Sequence, residues 1–170
     1  MSAAAFDEKR FLTMSANDLR LALEELYADY VAALDEERFE EWPEFFTDDA
    51  VYRIVPRENF ERNLPIATVH CESKGYLLDR VVAIRKTAVY APRYYRRLIS
   101  NIRIMGWQGE VLEVRANYAA FETLYDQGTR VFSVGRHFDQ IVVVDGKLKF
   151  RAKSVVFDSE LVPNSLVYPL

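Results

Sequence analysis

Cysteine is nearly absent from this 170-residue chain. Its one example, Cys71, excludes an intrachain disulfide and any cysteine-built zinc or iron–sulfur cage supplied by this chain alone. Histidine is almost as scarce, with only His70 and His137, and there are only six glycines. No Gly-rich phosphate loop, Gly-x-Ser-x-Gly elbow or His-Glu-x-x-His sequence occurs. No apolar run reaches the roughly 18 residues needed to cross a bilayer. The first ten residues carry Asp7, Glu8, Lys9 and Arg10 in place of a basic segment followed by an apolar one. The expectation is a soluble, cytoplasmic protein that makes no membrane contact.

What is present is apolar bulk: 50% hydrophobic and 14% aromatic residues, enough to bury one core in a single domain over residues 1–170. Charge is uneven behind the net −4. Residues 1–50 hold 14 acidic and 4 basic side chains, 51–104 hold 4 and 11, and 105–170 hold 8 and 7. The acidic N-terminal part can therefore lie against the basic middle of the same chain. Alternatively, the middle is a docking surface. Its cations are mostly arginine, which keeps its charge when desolvated and grips carboxylates bidentately. Nucleic acid is not an expected partner, because the chain is acidic overall and no basic stretch is interleaved with aromatics.

Residues 1–14 read as an N-terminal arm and 15–47 as helices. Ser15 and Asp18 have capping-box spacing, and Leu19, Leu23, Leu26, Tyr30 and Leu34 follow on one face of a helix over 16–36, leaving Arg20, Glu24, Glu25 and Asp35 to water. Pro43 marks a kink or a new first turn. Residues 48–92 read as short strands at 50–56 and 66–71, an exposed loop at 57–65, and a third helix over 74–86 with Tyr76, Leu77, Val81 and Ile84 inward.

Over 94–158 the period changes to two, and turn signals at Gln108-Gly109, Asp126-Gln127-Gly128 and Asp145-Gly146 divide the segment into four strands of an antiparallel meander. The expected core faces are Leu98, Ser100, Ile102 and Ile104; Leu112, Val114, Ala116, Tyr118 and Ala120; Phe132, Val134, Phe138, Val142 and Val144; and Leu148, Phe150, Ala152 and Val156. Strands this long must curve, and Gly135 is a natural bulge or bend. Residues 159–170 form a C-terminal tail. The predicted class is α+β: a cone-like, strongly curved mixed or antiparallel sheet with the N-terminal helices over its concave side.

Such a sheet encloses a pocket, and few residues can equip it. His70, His137 and Asp139 have the composition of a two-histidine, one-carboxylate iron site. The same residues could serve a cofactor-free dehydratase, isomerase or cyclase, with either histidine as base, Asp139 orienting it, and Tyr52 or Tyr118 donating to an oxyanion. An ordinary hydrogen-bonded or salt-bridged role is the third alternative.

The order of several segments resembles the β subunit of Rieske-type aromatic-ring-hydroxylating dioxygenases. These are Phe45-Phe46-Thr47-Asp48-Asp49 leading into Val51-Tyr52-Arg53-Ile54, then Arg57-Glu58-Asn59, Leu78-Asp79-Arg80-Val81 and Ile84-Arg85-Lys86-Thr87. Tyr94-Tyr95-Arg96-Arg97-Leu98-Ile99-Ser100-Asn101, Asp145-Gly146-Lys147-Leu148 and the ending Asn164 to Leu170 complete the set. Arg96-Arg97 departs from the Arg-His pair common in that family. The pattern is similar to the branch acting on small aromatic acids such as salicylate or terephthalate.

The resemblance implies a nuclear-transport-factor-2-type fold and a non-catalytic structural subunit. It implies a large α subunit as partner, carrying the Rieske 2Fe-2S cluster and the mononuclear iron, and a trimer of this chain within an α3β3 hexamer. No catalytic, cofactor or metal residue is then expected here. The expected subunit contacts are Arg57, Arg80, Arg85, Arg96, Arg97, Tyr168 and Leu170.

Overall fold

The computed structural model describes residues 11, 13–87, 91–159 and 166–170. Most of the expected arm, part of the tail, and Asn164 and Ser165 lie outside them.

Helix α1 runs Ala16–Asp35, with the Ser15 hydroxyl accepting from the Asp18 N–H as the capping box requires. Its buried stripe is Leu19, Leu23, Leu26, Tyr27, Tyr30, Ala33 and Leu34. A 3-10 turn, Trp42–Phe45, with Pro43 in its first turn, leads into β1, Phe46–Pro56. The stretch after Pro56 is a short helix, α2, Arg57–Glu61, and not an exposed loop; Arg57–Glu61 and Arg62–Glu58 pairs one turn apart support it. Strand β2 is only Val69–Cys71. Helix α3, Lys74–Lys86, buries Leu77, Val81 and Ile84. Tyr76 is exposed, because it stands one residue, about 100°, off that stripe.

The remaining strands are β3 Arg93–Gln108, β4 Val111–Leu124, β5 Thr129–Val144 and β6 Lys147–Phe157. They form the expected meander. The six-stranded sheet has the order β2-β1-β6-β5-β4-β3, with β1 parallel to β6 and every other pair antiparallel. The sheet is curled without closing, and α1 lies on its inner face. Asp145 and Gly146 both have positive φ (50° and 72°), as a type I′ hairpin demands.

Bulges decide which side chains face in. An extra residue sits at Asn101 and again at Met105 in β3, at Phe132 in β5 and at Arg151 in β6. Each reverses the alternation along its own strand. In β3 the inner face therefore reads Tyr95, Arg97, Ile99, then Ile102, Ile104, and Leu98 is left exposed. Asn101 takes the left-handed conformation (φ 52°) that asparagine tolerates better than most residues. In β5 Phe132 is buried as expected, but beyond it the buried residues are Gly135, His137, Asp139 and Ile141, not the expected Val134, Phe138, Val142 and Val144. In β6, Lys153, Val155 and Phe157 follow Leu148 and Phe150 inward, while Ala152 and Val156 take the other face. Only β4 keeps the unbroken face read from its sequence. Gly135 is a close-approach position and not the bulge: a Cβ there would meet the Val156 carbonyl oxygen at 2.0 Å.

Candidate functional site

Because β5 and β6 both shift phase, three polar side chains converge at the centre of the inner face. Asp139 stands directly opposite Lys153 across the strands, and their ion pair is 2.8 Å long with both side chains fully buried. The Lys153 ammonium also lies 3.0 Å from His137 Nδ1 and over the rings of Tyr27, Tyr30 and Phe150, 4.5–4.9 Å from their centroids. From α1 the Tyr27 hydroxyl donates to Asp139 Oδ2 at 2.5 Å. The His137 ring stacks between Tyr27 and Tyr118.

The electrostatics follow from burial. Desolvation pushes the Asp139 carboxyl up and the Lys153 ammonium down, and each partner's charge opposes the shift of the other. The His137 imidazole is held well below its ordinary value, first by burial and then by the Lys153 charge. Lysine can only donate, so Nδ1 accepts and the imidazole proton belongs on Nε2. Among the described residues, Nε2 and the second Asp139 oxygen have no partner.

This geometry does not assemble the histidine chemistry read from the sequence. His70 lies on β2, exposed, between the buried Val69 and Cys71, so its side chain points away from the core. Asp139 does not orient His137, because Lys153 stands between them and occupies Nδ1, the nitrogen that would act as base. Tyr118 bonds with Ser133, and Tyr52 is engaged elsewhere. Among the described residues, no three His, Cys, Asp or Glu side chains are grouped to hold a metal ion. The sequence reading missed Lys153. Its available signal was the run Val155-Val156-Phe157, apolar at both parities, which marks a strand covered on both faces.

Beside this cluster the chain closes on itself. Residues 166–170 pass between the helices and β3. The Tyr30 and Tyr52 hydroxyls both donate to the Leu170 main-chain oxygen, at 2.9 and 3.1 Å, while the Leu170 N–H donates back to Tyr52. Arg97 reaches the Pro169 oxygen at 2.6 Å, and Arg80 the Leu166 and Val167 oxygens. Tyr168 packs on Phe39 and Tyr95.

The acidic N-terminal part does lie against the basic middle. Arg97 pairs with Asp35, which is largely buried and not left to water, Arg85 with Glu40, and Lys74 with Glu44. The Arg85 guanidinium beside Glu40 holds that carboxyl down at about 2. Arg97, Tyr168 and Leu170 are thus buried within the chain, and Arg80 is half-buried. Arg57, Arg85 and Arg96 remain exposed. So do Tyr94, Leu98, Val131 and Val134 on β3 and β5, where Leu98, Ala119 and Val134 form one row across three strands.

Comparison with known proteins gives the family. The ring hydroxylating beta subunit family matches residues 30–164. The small subunit of anthranilate 1,2-dioxygenase from Burkholderia cepacia is 34% identical over 141 residues, covering 83% of this chain and 88% of that protein. Subunit beta 1 of the terminal oxygenase component of terephthalate 1,2-dioxygenase from a Comamonas species is 27% identical, covering 91% of this chain and 99% of that one. A crystal structure from Novosphingobium aromaticivorans, assigned as the β subunit of an aromatic-ring-hydroxylating dioxygenase, superposes with a TM-score of 0.83 at 33% identity, covering 91% and 99%. With these matches and its curled, helix-backed sheet of nuclear-transport-factor-2 type, the chain belongs to the family of ring-hydroxylating dioxygenase β subunits.

Proposed function

We propose that this chain is the structural small subunit of the terminal oxygenase of an aromatic-ring-hydroxylating dioxygenase, and that it carries no active site of its own. The family match across residues 30–164 carries this reading, and the interior supports it. The nitrogen of His137 that could take a proton already accepts a hydrogen bond from Lys153, and Asp139 is bound to Lys153 and Tyr27. A base so placed could accept a proton only by gaining a second positive charge next to a buried ammonium.

The partner is a large α subunit, which holds the Rieske 2Fe-2S cluster and the mononuclear iron, and the assembly is an α3β3 hexamer in the cytoplasm. Its substrate is a small aromatic acid, in keeping with the anthranilate and terephthalate enzymes to which the relatives belong. Subunit contacts use Arg57, Arg85 and Arg96 together with the exposed apolar row on the outer sheet face. Arg80, Arg97, Tyr168 and Leu170 contribute by fixing the surface from inside.

Co-expression with the large subunit, followed by sizing, tests the proposal. A stable hetero-oligomer whose oxygenase activity is unchanged by His137→Gln is expected. Failure to co-purify, together with turnover of an aromatic compound by the isolated chain, would refute it.

A further inference from the structure

The pairs Arg97–Asp35, Arg85–Glu40 and Lys74–Glu44 join the acidic and basic parts of the chain, yet charge of both signs is left over. On the outer sheet face the strand registers line up one row across five strands: Arg53, Ser154, Phe138, Arg115 and Arg103. Arg103 and Arg115 stand directly opposite each other, which is destabilising for like charges. Both are exposed, and among the described residues neither has an ion pair or a hydrogen bond. The Arg115 and Arg136 guanidiniums each lie 5.3 Å from the centre of the Phe138 ring, which packs on Phe60, so the cations are positioned by an aromatic platform. The carboxylates beside them are engaged elsewhere. Glu61 lies 3.8 Å from Arg136 but is held more closely by Arg57, and Glu113 accepts from Gln140.

The opposite layer carries the complement. Leu21, Glu24, Glu25 and Ala28 stand at helical spacing on the exposed side of α1, and Asp29 follows Glu25 one turn later. Among the described residues none of these three carboxylates has an ion pair; Lys147 and Lys149 border the hollow beside Glu25 and Asp29 without pairing with either. Side chains one helical turn apart are about 5–6 Å from each other. Side chains opposite each other on neighbouring strands are about 5 Å apart, so the two spacings match. The sheet separates α1 from Arg53, Arg115 and Arg136, so within one chain the two sets stay apart.

We infer that the exposed side of α1 in one copy of this chain docks on the outer sheet face of the next, with Glu25 and Asp29 against Arg103 and Arg115. An exposed ion pair contributes little alone. The apolar row of Leu98, Ala119 and Val134 continues the same face, and Leu21, 59% exposed, adds apolar area on the helix. Because the two surfaces differ, the contact is head-to-tail, the kind that closes into a ring when its rotation permits. This deepens the oligomer proposed above by naming the contact between copies, and it is tested on this chain alone, so its failure is distinguishable from a failure to co-purify with the large subunit.

Charge-reversed full-length chains provide the test. One carries Arg103→Glu and Arg115→Glu, the other Glu25→Arg and Asp29→Arg, and both should melt as the wild type does. By sedimentation velocity the wild type should self-associate, at least tenfold more weakly at about 0.5 M salt than at about 0.05 M. Each variant alone opposes like charges and should associate at least tenfold more weakly than the wild type. An equimolar mixture should regain the wild-type affinity, because each copy then meets its complement on both sides. A monomeric wild type, a variant that associates as the wild type does, or a mixture no tighter than its parts would overturn the contact. Should a reversed chain fail to fold, the neutral versions Arg103→Gln/Arg115→Gln and Glu25→Gln/Asp29→Asn take its place, and association unchanged in either would overturn it equally.

Discussion

Lys153→Met is the most informative single change in this protein. It keeps most of the stem volume and removes the charge, leaving Asp139 fully buried with only the Tyr27 hydroxyl beside it. Removing one member of a buried ion pair costs about 3–5 kcal/mol, because the remaining charge is left uncompensated. Against a total stability of about 5–15 kcal/mol for a domain, that is a large fraction. The double change Lys153→Met/Asp139→Asn removes both charges and keeps an acceptor for Tyr27, so it should recover about 2 kcal/mol or more of the single variant's loss. Urea unfolding followed by Trp42 fluorescence measures both, since that indole is fully buried. The pH dependence adds an internal check. The folded pKa of Asp139 is already raised by burial, and loss of Lys153 raises it further. The single variant's deficit should therefore shrink as the pH falls and a proton neutralises the carboxylate. A cost below about 1 kcal/mol, or a double variant no better than the sum of its parts, would refute the claim that the pair holds the inner face together.

Three further outcomes are expected. His137 is depressed in the folded chain, so the unfolded state binds the extra proton as the pH drops below about 6.5. Its contribution to stability is intact above that value and falls by up to about 1.4 kcal/mol per pH unit below it. Asp139 titrates in the opposite sense, so thermal melts of His137→Gln against wild type between pH 7 and 5 isolate the histidine, and identical slopes would contradict its burial as the neutral form. Gly135→Ala should cost about 1–3 kcal/mol, because the new Cβ meets backbone and not a movable side chain; an unchanged melting temperature would show that β5 and β6 are not packed as described. Arg57→Ala and Arg85→Ala break exposed pairs and should each change stability by less than about 1 kcal/mol while weakening co-purification with the large subunit; a variant that melts as wild type and still assembles fully would remove that arginine from the interface.

The sequence by itself determined the elements and their connection. The Ser15 cap, the α1 stripe, the Leu77-Val81-Ile84 stripe of α3 and the Asp145-Gly146 hairpin are local signals, each carried within a few residues and each seen in the structure. The ordered family segments were legible for the same reason, since they need no knowledge of packing. The inner face of the sheet could not be read this way. A strand alternates with a period of two, so one extra residue at Asn101, Phe132 or Arg151 exchanges the side chains that follow it, up to any further bulge, between core and solvent. Whether a bulge forms depends on the neighbouring strand. Leu98 thus moved out, and His137 and Asp139 moved in. Lys153, which continues the alternating basic series Lys147, Lys149, Arg151 and so reads as a surface residue, became the buried partner that occupies them both. The likeness of His-x-Asp to a catalytic pair is a property of the sequence, and the ammonium between the two side chains is a property of the pairing of β5 with β6.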